Sequence, residues 1–221
     1  YGHISVYNAS DGNQIWMNDT SHFRFSLSAA FSQDETILAT PSIDTTVRLW
    51  DVESGLETSL PLKHDGGVWR AVFSPDQKKL AVISDQNDLW IWSIPNESHA
   101  QVLYFPRRLK AEIVDVAFNE TGDKIGTITI DGEFLEWDLN VSTYKPMLLT
   151  HSGVIQGYDL SNDGKWAATG GEDNVVALWD MDNKRKHKQI IMDNNVGMVV
   201  FQDDGSRLFV VEMAGRIPIH W

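Results

Sequence analysis

The sequence repeats an aromatic position every 42 to 45 residues through its 221-residue length. About 19 residues before each tryptophan of this repeat, an apolar residue is followed by a short polar run such as Phe73-Ser-Pro-Asp, and such runs are typical of tight turns. A period of this length indicates a repeat architecture in which each unit is one supersecondary structure. The aromatic residue ends a short β-type run at Tyr7, Trp50, Trp92, Trp137, Trp179 and Trp221.

Each repeat unit is predicted to form four short strands. In the unit that ends its third strand at Trp92, runs rich in β-branched and aromatic residues cover 68–73, 79–84, 88–92 and 101–105. Helical spacing of apolar residues is always interrupted by Gly, Pro or polar turn residues. The sequence therefore predicts an all-β chain.

Four-stranded units of this length resemble the WD-repeat β-propeller family over essentially the whole chain, because Asp follows the tryptophan at Trp50, Trp137 and Trp179. The resemblance implies radially packed blades, with the first strand of each at a central channel and the fourth at the rim. We predict a propeller segment of about five blades spanning 1–221, with blade ends near 17, 62, 105, 150 and 192. Two strands before the first full unit and three in an incomplete last blade favour an excerpt of a larger seven-bladed or tandem propeller.

The family resemblance also implies a buried hydrogen-bonded tetrad of His, Ser or Thr, Asp and Trp in each well-formed blade. Two units match it at identical offsets of 28, 10 and 6 residues before the tryptophan. In such a tetrad the indole donates to the hydroxyl, the hydroxyl to the imidazole, and the imidazole to the carboxylate, so every buried polar group has a partner. The two sets are His22, Thr40, Asp44 and Trp50, and His151, Thr169, Asp173 and Trp179.

Three other units match this pattern only in part. The Trp137 unit keeps Thr127 and Asp131 but has Leu109 at the histidine position. The remaining two units depart further, and we expect all three to depend on apolar packing instead. The Trp92 unit keeps His64 beside Val82 and Gln86, and the Trp221 unit has Val211 and Gly215.

Composition excludes several classes of function. Without cysteine the chain has neither a disulfide framework nor a thiolate metal site, and the remaining histidines show no metal-ligand spacing. A net charge of −13 makes nucleic acid an unexpected partner, and no apolar run is long enough to span a membrane. Two basic islands, 184–188 and the group Arg107, Arg108 and Lys110, are interpreted as solvated loops.

No nucleotide-binding, zinc-protease or serine-hydrolase motif occurs, and we expect neither catalysis nor a cofactor. The alternative is a fragment of a propeller enzyme, because Asn8–Trp16 resembles the short repeat of quinoprotein dehydrogenases. Sequons at Asn8, Asn18, Asn96, Asn119 and Asn140 would matter only in a secretory lumen, and we expect a cytoplasmic protein.

A partner-binding face is predicted from the family positions 23 and 7 residues before each tryptophan. Five of these eight residues are apolar, and carboxylates flank them, which suits a peptide with an aliphatic or aromatic anchor beside a basic residue. Equally open is the alternative that Leu27, Val114 and Ile130 are channel-lining core. The eight are Leu27, Ile43, Trp69, Asp85, Val114, Ile130, Gln156 and Glu172, with Trp69 as the main anchor.

The function predicted from these features is a non-catalytic protein-interaction platform, a scaffold or a sensor, within a larger multidomain protein. Its partner would be a protein, a peptide or another domain of the same chain. A signalling ATPase and a large assembly are both possible contexts, and these residues do not distinguish them.

Overall fold

The computed structural model describes residues 2–26, 28–94, 100–103, 112–130, 133–140, 143–161, 163–202 and 205–213. These residues form strands, turns and connecting loops without a helix. The chain divides into two compact units, Tyr1–Leu109 and Lys110–Trp221. The all-β class predicted from the sequence is confirmed.

The first unit contains one two-stranded and two four-stranded antiparallel sheets. In each sheet the strands pair in chain order, as a meander. The strands of the three sheets are β1 (Gly2–Tyr7) and β2 (Gln14–His22); β3 (Ala30–Phe31), β4 (Ile37–Pro41), β5 (Thr46–Asp51) and β6 (Leu62–Lys63); and β7 (Val68–Phe73), β8 (Lys79–Ser84), β9 (Leu89–Ser93) and β10 (Ala100–Leu103).

The second unit contains two four-stranded sheets and a hairpin, again paired in chain order. The sheets are β11 (Ile113–Phe118), β12 (Lys124–Thr129), β13 (Glu133–Asp138) and β14 (Thr143–Leu148); β15 (Ile155–Leu160), β16 (Trp166–Gly171), β17 (Val175–Asp180) and β18 (Arg185–Ile191); and the hairpin β19 (Val196–Phe201) and β20 (Leu208–Glu212).

The turn between the first and second strands of a sheet is locked by a recurring side-chain bond. Ser32 Oγ donates to Asp34 Oδ1 at 2.7 Å, and Ser161 Oγ donates to Asp163 Oδ1 at the same distance. Ser74 Oγ donates to Asp76 Oδ1 at 2.6 Å in the equivalent turn. Short polar side chains that bond within their own turn explain why these Ser-x-Asp segments end one strand and begin the next.

The core of each unit lies between neighbouring sheets. In the first unit Leu49 of β5 and Leu80 of β8 belong to one buried apolar cluster, so the sheets pack face to face. In the second unit Phe134 of β13 and Trp179 of β17 share another cluster. Successive residues of a strand point to opposite faces, and the middle strands are therefore apolar on both.

Candidate functional site

The structure brings together the four side chains of the Trp50 unit. Trp50 Nε1 donates to Thr40 Oγ1 at 2.8 Å, and that oxygen lies 2.9 Å from His22 Nε2. His22 Nδ1 lies 2.8 Å from Asp44 Oδ2. Trp50 and Thr40 lie on the same face of the neighbouring strands β5 and β4, two residues apart in register. Asp44 lies in the turn between these strands, and His22 ends β2. The histidine therefore ties one sheet to the turn of the next.

The second complete set has the same geometry. Trp179 Nε1 donates to Thr169 Oγ1 at 2.7 Å, and Thr169 Oγ1 lies 2.7 Å from His151 Nε2. His151 Nδ1 lies 3.0 Å from Asp173 Oδ1. A tautomer with its proton on Nδ1 satisfies every group, because the imidazole then donates to the carboxylate and accepts from the hydroxyl.

Both tetrad carboxylates also anchor the loop that carries the histidine. The backbone N–H of Phe23 donates to Asp44 Oδ2 at 3.0 Å, and that of Ser152 donates to Asp173 Oδ2 at 2.8 Å. Burial alone would raise the pKa of Asp173, but hydrogen bonds from His151 and Ser152 outweigh burial and hold that pKa below its ordinary value. Thr46 and His22 lower the pKa of Asp44 in the same way.

A hydroxyl, an imidazole and a carboxylate in this order also occur in nucleophilic enzymes. Here the hydroxyls of Thr40 and Thr169 are buried, and each already accepts the indole N–H. A substrate has no access to such an oxygen. The arrangement is therefore suited to locking a turn, and sequence reasoning assigned it that role.

The Trp92 unit contains a contact that sequence reasoning missed. Val82 replaces the hydroxyl residue, and Trp92 Nε1 donates directly to His64 Nε2 at 3.0 Å. With Gln86 in place of the aspartate, His64 Nδ1 is buried without a hydrogen-bond partner among the described residues. Burial lowers the pKa of His64 to about 4, so this imidazole is neutral at pH 7. Apolar packing is thus supplemented by one polar bond, which the sequence spacing alone does not reveal.

The other two incomplete units, which end at Trp137 and Trp221, have fewer tetrad positions among the described residues. Trp137 Nε1 lies 3.4 Å from Thr127 Oγ1, a longer contact than in either complete set. Asp131, Leu109, Gly215 and Trp221 lie outside the described residues. Val211 is exposed on β20.

Two of the predicted partner-face residues, Ile43 and Asp85, approach each other in the first unit. A methyl group added at Gly67 would lie 3.0 Å from Asp85 Oδ2 and 3.2 Å from Ile43 Cα, so Gly67 lets these two residues approach. Trp69 follows on β7, and its buried indole N–H has no hydrogen-bond partner among the described residues. Leu27 lies outside the described residues.

The predicted partner-face residues of the second unit are less uniform. Val114 is half-buried and packs against a core cluster, as the alternative interpretation expects. Ile130 is 50% exposed, so it is not enclosed by the described sheets as Val114 is. Gln156 Nε2 donates to Glu172 Oε1 at 2.9 Å, and this pair is polar rather than an anchor for an apolar side chain.

Two exposed aromatic residues beside Ile43 were not predicted. Phe23 and Phe25 are 77% and 71% exposed, and Ile43 N donates to Phe25 O at 3.1 Å. Two aromatic residues directly after a tetrad histidine, in a loop, were the sequence signal for this surface. Carboxylates also lie in the same unit: burial, then the charge of Asp65, raises the pKa of Asp88.

The basic island 184–188 is not the solvated loop that we expected. Lys184 lies in a turn, but Arg185 begins β18, an exposed strand that pairs with β17. Charged residues are common both in loops and on the outer strands of sheets, and pairing with β17 decides between them. The second island, 107–110, lies outside the described residues.

The segment that resembles a quinoprotein repeat forms a turn followed by β2. Trp16 Nε1 donates to Val52 O at 2.8 Å, and its ring lies 6.3 Å from that of Trp50.

Asn119, one of the sequons, uses its side-chain amide within its own turn, donating to Asp123 Oδ1 at 2.8 Å. In the described part of the chain no cluster of three His, Asp or Glu side chains is arranged to hold a metal ion. The same residues include no helix capable of crossing a membrane.

Comparison with known families matches two stretches of the chain, 19–51 and 142–180, to the model described as WD domain, G-beta repeat. Each stretch contains one complete tetrad, from its histidine to its tryptophan. The family comparison and the hydrogen-bonded sets therefore select the same two units.

Curated relatives match most of this chain. It is 25% identical to Protein LST8 homolog of Drosophila melanogaster over 74% of this chain and 54% of that protein. It is 24% identical to Periodic tryptophan protein 2 of Arabidopsis thaliana over 85% of this chain and 21% of that one. For Nuclear distribution protein nudF of Aspergillus niger the identity is 27%, over 84% and 42%. The chain thus spans about half or less of the length of these relatives. The family match, the repeat period and the two tetrads together identify 19–51 and 142–180 as WD repeats.

Proposed function

We propose that this chain is a non-catalytic protein-interaction platform that acts as a scaffold or sensor within a larger multidomain protein. The observation that carries the proposal is an exposed aromatic and acidic surface on the first unit. We call it the Phe23 surface, and it comprises the exposed Phe23, Phe25 and Asp85 together with the half-buried Ile43 and Trp69.

The backbone of the Phe23 surface is held in place before any partner arrives. Asp44 fixes the N–H of Phe23, and Ile43 N and Ser42 Oγ both donate to Phe25 O. A preorganised loop binds with a smaller loss of conformational entropy than a disordered one. Exposed aromatic side chains on such a loop are typical anchors of protein interfaces.

The chemistry of the Phe23 surface favours a peptide with an aliphatic or aromatic anchor beside a lysine or arginine. Phe23 and Phe25 offer apolar area, and the buried N–H of Trp69 lacks a partner within the described residues. Asp85, with Asp65 and Asp88 in the same unit, supplies negative charge for the basic neighbour. Opposite charges at an interface raise the association rate and exclude acidic partners.

The test measures binding of fluorescein-labelled peptides by fluorescence polarisation. One pool of twelve-residue peptides places Phe, Trp or Leu beside two arginines, and a matched pool replaces the arginines with glutamates. We expect the arginine pool to bind about ten-fold more tightly, because the carboxylates beside the surface attract arginine and repel glutamate. A ten-fold preference corresponds to about 1.4 kcal/mol of binding free energy.

Variants locate the binding surface. Phe23→Ser, Asp85→Asn and Trp69→Ala should each weaken binding of the arginine pool, with little change in the thermal midpoint for the exposed Phe23. Leu60→Ala is the control, since Leu60 is an equally exposed apolar residue of the same unit. Equal affinity in Phe23→Ser and Asp85→Asn, or equal binding of both pools, would disprove this surface.

A further inference from the structure

The outer strand β18 differs from the strands inside its sheet. All seven residues of Arg185–Ile191 are exposed, whereas the middle strands β16 and β17 are mostly buried. In the described sheet β18 is the last strand, after β17. Among the described residues no strand pairs with the other edge of β18, so the backbone at that edge can accept a further strand.

The hydrogen-bond pattern shows which backbone groups point outward. Met192 N donates to Asn174 O at 2.8 Å, just beyond the strand ends. Hydrogen-bonded pairs alternate along an antiparallel ladder, so Ile190 and Lys188 also bond across to β17. Gln189 and Ile191 lie between these pairs, and their N–H and C=O groups point away from β17. These two residues provide the spacing that an added strand requires.

The charge at this edge is opposite to that of the whole chain. Lys184, Arg185, Lys186 and Lys188 stand within five residues of a chain whose net charge is −13. Lys184 pairs with Glu136 at 3.4 Å, and Arg185 lies 3.8 Å from Asp180. Lys186 and Lys188 form no ion pair with any carboxylate in the described ranges, so no carboxylate there neutralises their charges. Lys186 Nζ donates one hydrogen bond, to Thr150 O at 3.4 Å, and keeps two N–H groups for a ligand.

A register shift directs these two lysines to different faces of the sheet. Lys188 pairs with Leu178 and Lys186 with Trp179, with an irregularity between the two pairs. Lys186 Nζ lies 4.8 Å from the centre of the Trp179 ring, so this side chain leans over its own sheet. Ile190, opposite Val176, shares the face of Lys188, and Ile191 is 81% exposed at the end of the strand.

We propose that β18 is a docking edge for an extended acidic segment of a protein partner, which adds a strand to the sheet. Adjacent residues of a strand alternate faces, so two consecutive Asp or Glu residues would meet Lys188 and Lys186. An aliphatic residue two positions along would cover Ile190. The backbone of Gln189 and Ile191 would supply the hydrogen bonds, as in other cases of strand addition.

Charge excludes the other obvious strand partner. A second copy of β18 would bring like charges opposite each other, and lysines on an edge strand normally oppose such pairing. An acidic strand turns the same lysines into favourable cross-strand pairs. This site lies on the second unit, so its test is independent of the Phe23 surface.

The test uses three labelled ten-residue peptides and the whole chain. The first contains two adjacent glutamates followed, two positions along, by isoleucine; the second has lysines in place of the glutamates. The third is the acidic peptide with N-methyl groups on alternate residues, prepared in both phases. We expect the acidic peptide to bind at least about ten-fold more tightly than the basic one. Methylation in one phase should abolish binding, whereas in the other it should be tolerated, because only alternate N–H groups face β18.

Two variants test the edge from the protein side. Lys186→Glu with Lys188→Glu should weaken binding of the acidic peptide about ten-fold. The matched control is Lys63→Glu with Lys78→Glu, which makes the same change of charge at two exposed lysines of the first unit. Gln189→Pro removes an outward N–H without breaking the β17 ladder, so it should weaken binding while the thermal midpoint stays unchanged.

Contrary outcomes are equally specific. Equal binding of the acidic and basic peptides, or equal binding of both methylated forms, would overturn strand addition. Tighter binding of single-stranded DNA or of phosphatidylserine vesicles that Gln189→Pro leaves unchanged would assign the lysines to a different class of ligand and refute the proposal.

Discussion

Replacing Thr169 by valine tests how much a complete tetrad stabilises the fold. Thr169 is fully buried, and its oxygen contacts both Trp179 Nε1 and His151 Nε2 at 2.7 Å. Valine has nearly the same shape, so the substitution removes the hydroxyl without opening a cavity. What remains is one buried N–H donor and one buried imidazole acceptor, neither with a partner.

The expected cost follows from those two groups. Leaving a buried polar group unsatisfied costs about 1–3 kcal/mol, so two of them give an upper range of about 2–6 kcal/mol. Local relaxation reduces this, because the Trp92 unit shows that an indole can donate straight to an imidazole at 3.0 Å. We therefore expect Thr169→Val to lower the free energy of unfolding by about 2–4 kcal/mol.

Urea denaturation followed by circular dichroism at 218 nm measures this difference from the midpoint at constant slope. Thr127→Val is the matched control. Its oxygen lies 3.4 Å from Trp137 Nε1, and a contact of that length should cost less than about 1 kcal/mol. A decrease in the free energy of unfolding of less than about 1 kcal/mol for Thr169→Val, or one no larger than for Thr127→Val, would refute the view that the hydrogen-bonded tetrad stabilises its sheet.

Three further predictions concern a buried histidine, a tetrad carboxylate and two turn glycines. His64 has a pKa of about 4 in the folded state against an ordinary 6.5, so the unfolded state takes up the proton first as the pH falls. The free energy of unfolding should therefore decrease between pH 6.5 and 4, by about 3 kcal/mol in all. His64→Leu should flatten this part of a profile of urea midpoint against pH, and an unchanged slope would contradict the prediction. The pKa of Asp173 is lowered in the folded state, so its carboxylate stabilises the fold above pH 3.8 and this stabilisation is lost as the pH falls through the folded-state pKa. Asp173→Asn should remove this acid-induced loss in thermal melts taken from pH 5 to 2. A variant whose thermal midpoint falls with pH as steeply as that of the original protein would contradict the prediction. Gly55 and Gly12 both have φ near +70°, but a methyl group at Gly55 would lie 2.7 Å from the Trp16 ring, whereas one at Gly12 would meet nothing within 4 Å. Gly55→Ala should therefore lower the thermal midpoint clearly more than Gly12→Ala. Equal losses would show that backbone strain at positive φ, and not the contact with Trp16, determines the effect.

Much of the architecture could be predicted because its signals are local. The strands of the Trp92 unit follow runs of β-branched and aromatic residues, and the turns follow Ser-x-Asp bonds within three residues. The tetrads could be located by spacing, since the threonine and the tryptophan lie on the same face of adjacent strands at a fixed offset of two residues in register. The direct bond from Trp92 to His64 could not be predicted, because a valine at the hydroxyl position removes the group that would connect the indole to the imidazole.

The sequence by itself determined the repeat, the all-β class and the identity of the two complete tetrads, because each of these depends on residue type and on short, fixed separations along the chain. Only the tertiary structure decided which of the remaining side chains reach solvent. Ile130 and Phe23 are as apolar as core residues, yet both are exposed, and Arg185 begins a strand where charge alone suggested a loop. Exposure depends on which other segments pack against a residue, and those segments lie far away in the sequence.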